Sequence, residues 1–183
     1  MRKNLIIMLL LTIALTLPIT AAEPPSAAFT VSASISAIND MKITNTQVNE
    51  ETYGNSGNTF GGSVTIIGSG EGANMDGDGY IDFTAYISAI SNNRGGYTIT
   101  MSATPLTSEG TPPATINYIV SVADASYDTK SNTADVVVIT TESLSALDVE
   151  SLPISVRLYR SEYDSAVAGT YTGTVTFHYV SAS

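Results

Sequence analysis

Residues 80–91, YIDFTAYISAIS, place Ile81, Phe83, Ala85, Ile87 and Ala89 on one side of an extended chain. Tyr80, Asp82, Thr84, Tyr86 and Ser88 fall on the other. Alternation of this length has the two-residue period of a strand with one buried face and does not fit one helical stripe. The same period recurs along the chain. Residues 97–103 (YTITMSA) offer Tyr97, Ile99, Met101 and Ala103 as an inner set, and a later segment offers Ile116, Tyr118, Val120 and Val122. Ile154, Val156 and Leu158 follow Pro153, read as a strand's first residue, where a missing N–H costs least. Residues 134–140 (ADVVVIT) are almost continuously apolar and read as a strand covered on both faces. The series closes with 170–180 (TYTGTVTFHYV), with Tyr171, Val175, Phe177 and Tyr179 inward and threonines outward.

Clusters of turn-forming residues separate these segments at 54–58, 68–79, 92–96, 108–113 and 127–132. Only residues 141–151 (TESLSALDVES) read differently, as a helical turn or a loop crossing between sheets. Seven or eight short strands at this spacing predict an all-β fold, an antiparallel β-sandwich of immunoglobulin-like type. The Ser-, Thr-, Val-, Ile-, Tyr- and Gly-rich composition agrees.

The first residues have the make-up of an export signal. Arg2 and Lys3 precede an apolar run from Leu5 to Leu17, and the small residues Thr20, Ala21 and Ala22 precede Glu23. The expected organisation is a signal peptide over 1–22, an N-terminal extension over 23–40, and one sandwich domain over 41–183. The apolar run is short for a membrane span, so no membrane insertion is expected after cleavage. The chain has no cysteine, so no disulfide supports the fold and burial must hold it. Without Arg2 and Lys3, seventeen acidic residues stand against five basic ones. That balance repels phosphate backbones, and nucleic acid is not an expected partner.

Few residues suggest chemistry. The one histidine, His178, lies among outward threonines, with no nucleophile elbow or zinc-ligand spacing elsewhere, and enzymatic activity is not expected. Asn74, Asp76, Asp78, Gly79 and Asp82 match positions 1, 3, 5, 6 and 9 of a calcium-binding loop. Position 12 is Ala85, however, and a strand pattern follows where a helix should begin. The residues leave two readings open, a hairpin turn at Gly77-Asp78-Gly79 and a weak calcium site; no other cofactor is expected.

Residues 27–39, AAFTVSASISAIN, set Phe29, Val31, Ala33, Ile35 and Ala37 on one face and Thr30, Ser32, Ser34 and Ser36 on the other. A second strand-like piece, DMKITN (40–45), follows at once, so the first is extra to a domain that already has a beginning. This stretch, with Tyr97 in GYTITMSA, residues 115–122 (TINYIVSV), and Gly169, Tyr171, Gly173, Val175 and Phe177 near the C-terminus, resembles the cysteine-free major subunits of chaperone-usher pili. More loosely, it is similar to spore-coat-U-like secreted proteins. Two departures are the position of Tyr179, four residues from the end where such subunits often carry a penultimate tyrosine, and the Gly-rich insertion at 68–79.

The resemblance implies a sandwich that lacks its last strand. A periplasmic chaperone fills the gap first, and the N-terminal extension of the next subunit fills it permanently after passage through an outer-membrane usher. It implies a cell-surface fibre made of copies of this chain and supporting adhesion, with Phe29, Val31, Ala33, Ile35 and Ala37 as the donor-strand residues. The other reading is a self-contained secreted β-sandwich that binds a ligand or glycan, with the same stretch folded back as its own first strand.

Overall fold

The computed structural model describes residues 32–57 and 59–182. Its strands are β1 (Asn39–Thr44), β2 (Tyr86–Ser91), β3 (Gly96–Ala103), β4 (Leu106–Ser108), β5 (Thr115–Ile116), β6 (Tyr118–Val122), β7 (Ala125–Asp128), β8 (Val136–Glu142), β9 (Asp148–Leu158), β10 (Tyr171–Thr172) and β11 (Val175–Ser181). Among the described residues there are also two short helices, α1 (Glu50–Tyr53) and α2 (Arg160–Ser165). Every strand pairing is antiparallel.

The strands form a five-stranded sheet, β1-β2-β9-β6-β7, and two three-stranded sheets, β11-β3-β8 and β10-β4-β5. The inward faces share one core. Ile87, Ala89, Val120, Val122 and Leu158 from the first sheet pack with Tyr97, Ile99, Met101 and Ile139 from the second. The inner sets read from alternation face this core, those of β2, β3 and β6 mostly buried and those of β9–β11 largely half buried, and Ile87, Ile99, Met101 and Val120 have no exposure at all. The all-β, antiparallel expectation therefore holds, with two layers around an apolar interior.

Several details differ from the sequence reading, each for a physical reason. Pro153 does not open a strand but lies inside β9, at the point where β9 changes partners. Residues 148–153 pair with β2 and residues 154–158 with β6. A residue without an N–H is tolerated at such a hand-off, and the next amide, Ile154 N–H, donates to Ala85 C=O at 2.8 Å. Strand β8 is not covered on both faces. It is an edge strand whose register slips past Val138 between Ile99 and Thr100, leaving Val137 half exposed. Only residues 143–147 separate β8 from β9, so this stretch is the crossing loop and not a helical turn.

The stretch expected to form a strand before residue 40 also differs. Residues 32–38 carry no strand and are exposed, and among the described residues the first strand begins at Asn39. Among the described residues, 36–38 are tied through Asn92, whose side chain accepts from Ile38 N–H at 2.7 Å and donates to Ser36 C=O at 3.0 Å and whose amide donates to Ile38 C=O at 3.1 Å. A period-two sequence becomes a strand only where a neighbouring ladder supplies partners for its amides.

Conversely, Ser88 was read as an outward residue and is fully buried. Its hydroxyl bridges Thr44 at 3.1 Å and Ser151 at 2.9 Å, beneath the segment carrying Val48 and Tyr53. Two glycines are steric necessities: a Cβ on Gly96 (φ +80°) would collide with Thr141 C=O, and one on Gly79 (φ +92°) with Leu158 C=O.

With no disulfide, the core carries the fold. Met101→Ala is expected to lower the unfolding free energy by about 2–5 kcal/mol in chemical denaturation. A loss below roughly 1 kcal/mol would contradict the placement of β3 at the centre of the core.

Candidate strand-accepting groove

Beside the tight core the two layers part. A cavity of about 660 Å³ opens between them, lined by Ile43 of β1, Phe83, Val156 of β9, and Val175 and Phe177 of β11. These side chains pack against the core yet are only half buried. The groove runs beside an unfinished edge. Among the described residues, β11 pairs only with β3 and β10 only with β4, so their other sides carry no ladder. Half-buried apolar walls beside an unpaired strand edge are two incentives for association, one from apolar area and one from open backbone groups.

One end of the groove is tied shut. Tyr179 of β11 stacks on Tyr97 of β3 at 5.1 Å between centroids, and its hydroxyl donates to Asn39 Oδ1 of β1 at 3.0 Å. Asn39 Oδ1 also accepts from Ser91 at 2.8 Å, so the start of β1 holds both layers at this point. The Tyr97 hydroxyl donates to Asp148 Oδ2 at 3.1 Å. Burial, then the charge and hydrogen bond of Asp148, push the Tyr97 phenol well above its ordinary range. Glu150 is raised by burial and by the neighbouring Asp148 carboxylate.

Of the donor-strand residues, Phe29 and Val31 lie outside the described residues. Ala33, Ile35 and Ala37 are exposed and outside any strand, Ile35 at 86 %.

The calcium-loop residues form a hairpin. Met75 and Ile81 are bridged, Asp76 N–H donates to Tyr80 C=O at 2.9 Å, and Asp76 Oδ1 accepts from the Asp78 and Tyr80 amides, each at 2.9 Å. Arg157 donates to Asp78 C=O at 3.1 Å and Arg160 to Asp76 C=O at 3.1 Å, fixing the hairpin against β9 and α2. Asn74 and Asp82 face other tasks: the Asp82 amide donates to Asn74 C=O at 2.6 Å, and the Asn74 side chain bonds the backbone of 65–67. Among the described residues no three His, Cys, Asp or Glu side chains gather as a metal site. His178 is exposed on β11.

Sequence reasoning missed the segment 60–66, which lies along the groove without joining a sheet. Its signal was short but present: Val64 and Ile66 alternate with Ser63 and Thr65.

Comparison with protein-family models, curated proteins and solved structures finds no match to this chain. Among the described residues no helix is long and apolar enough to cross a membrane.

The buried phenols give a direct check on the packing. Burial and then Asp40 raise Tyr53 as well, and burial with Tyr127 nearby pushes Tyr118 up to about 12. Unfolded phenols ionise near pH 10, so the stability gained by keeping these neutral is complete below about pH 10 and is lost as pH rises toward the folded values. Titration of phenolate absorbance should show a late-ionising group that includes Tyr53, Tyr97 and Tyr118, whose ionisation coincides with loss of the β-sheet signal. All ten titrating as one group near pH 10 in a chain that stays folded would contradict these contacts.

Proposed function

We propose that the chain is an exported structural subunit of a cell-surface fibre, assembled by donor-strand complementation. The observation that carries this reading is the apolar groove beside the unpaired β10–β11 edge. An extended peptide satisfies both features of such a site: its backbone completes the ladder while alternate side chains enter the groove, and pilin assembly is a standing example of this mode. Residues 27–39 have the required form, with Phe29, Val31, Ala33, Ile35 and Ala37 on one face. Their described part, exposed and outside any strand, is in the state a donated segment needs before it finds a partner.

The energetics are adequate. Full burial of Phe29, Val31 and Ile35 contributes about 1.5–3 kcal/mol each, against the cost of ordering the segment and immobilising a partner. A contact from the N-terminal stretch of one copy to the groove of another is head-to-tail and propagates as an open filament. Export through the periplasm, with a chaperone that covers the groove and an usher at the outer membrane, belongs to this reading, as does a role in adhesion.

A second reading, a secreted binding module, draws on the same cavity, whose volume of about 660 Å³ lies within the range of small-molecule pockets. In that case the groove holds an apolar ligand or the apolar face of a glycan.

The two readings separate by oligomeric state. The chain beginning at Glu23 should form SDS-resistant ladders, and the chain beginning near Asp40 should not. Ala33→Lys should abolish the ladders, because a charge forced into an apolar pocket is strongly disfavoured. Stable monomers from both chains would sink the fibre reading.

A further inference from the structure

We propose that residues 63–67 are a built-in occupant of the groove, latched by Asn74, which an incoming strand displaces; this inference rests on the strand-accepting reading above. The segment GGSVTIIGSG (61–70) has the pattern of a short donor strand, with Val64 and Ile66 on one face and Ser63, Thr65 and Ile67 on the other. Val64 and Ile66 line the groove, half buried against the main core, while Ser63, Thr65 and Ile67 are exposed. The chain therefore already does, over two side chains, what a donated strand would do over more. Yet the segment belongs to no sheet.

Its attachment is narrow. Asn74 Oδ1 accepts from Ile67 N–H at 2.8 Å, Asn74 Nδ2 donates to Thr65 C=O at 2.8 Å, and the Asn74 amide donates to Ile67 C=O at 3.0 Å. One side chain thus imitates a rung of a ladder. Beyond it, the ties are Gly68 N–H to the Tyr163 hydroxyl at 3.2 Å and a long bond of 3.4 Å from Phe60 N–H to Ile43 C=O. Gly61 and Gly62 ahead of the segment and Gly70 beyond it face open space, whereas Gly68 lies against the Tyr163 ring with no room for a Cβ. A segment held mainly by one side chain and by the contact of Gly68 with Tyr163, with open glycines ahead of it, is suited to leave as a unit.

The device has two consequences. Before assembly, Val64 and Ile66 cover part of the apolar wall, which limits indiscriminate pairing at the open edge. During assembly, a donor strand binds only the fraction of molecules whose latch is open, so its apparent affinity is reduced by that fraction. Asn74, which the calcium-loop pattern singled out, is in this view a latch for the segment.

The probe is a synthetic peptide of residues 27–39 added to the full chain, with binding followed by fluorescence of a labelled peptide and backbone protection by hydrogen exchange. Binding should lower the protection of 63–67 in the unmutated chain. Asn74→Ala should bind the peptide roughly fivefold to tenfold more tightly, as expected for loss of two neutral hydrogen bonds that hold the closed state. Binding of equal strength by both chains, or protection of 63–67 that is unchanged or increased on binding, would overturn the latch and leave the fibre reading standing. No binding by either chain would overturn both. Should Asn74→Ala fail to fold, the exchange measurement on the unmutated chain still decides between these outcomes.

Discussion

The rest of the structure depends on the packing of β3 against the five-stranded sheet. Tyr97, Ile99 and Met101 project from β3 into the space between the layers, where they meet Ile87, Val120 and Val122 with almost no remaining exposure. In a chain without cysteine this burial is what holds the layers together. Strand β3 also carries the neighbours that define the edge: β8 pairs on one side of it and β11 on the other. Because β11 gains a partner on that side only, the seal between the layers is complete near β3 and fails at Val175 and Phe177. The groove is thus a consequence of where the strands run out, and the Tyr179–Asn39 bond marks the end at which the gap is closed.

Much of the architecture was legible because period-two alternation reports directly on burial. The sets from Ile81 to Ala89, Tyr97 to Met101 and Ile116 to Val122 needed only the knowledge that one face of a strand is covered. What alternation cannot report is who the neighbour is. Ser88 alternates as a surface residue but is sealed under Val48 and Tyr53, because a second layer of chain lies over the outer face of β1, β2 and β9. The run at 136–139 looks fit for a central strand but sits at an edge, since strand order is a long-range property. Pro153 suggested a strand start, yet β9 simply exchanges one partner for another there.

The candidate site was less visible. The alternating pattern of residues 27–39 is plain in the sequence, but a groove is an absence of packing and leaves no local signature. The acidic loop was open to two readings, a hairpin turn and a weak calcium site. Asn74, Asp76, Asp78 and Asp82 have the spacing of calcium ligands, but Asn74 Oδ1 and Asp76 Oδ1 accept from backbone amides and the remaining geometry is that of a hairpin. Short polar side chains at alternate positions serve turns as readily as cations, and only the partners of each oxygen tell the two apart.

The central claim is that the open side of this sandwich is completed by another molecule. It is tested most directly by assembling a mixture of two differently isotope-labelled populations and measuring contacts between residues 29–37 and the groove side chains Ile43 and Phe177 by solid-state NMR. Strand donation predicts contacts between the two labels, with residues 29–37 in β conformation alongside β11. Contacts found only within one label, or none in the assembled material, would contradict it.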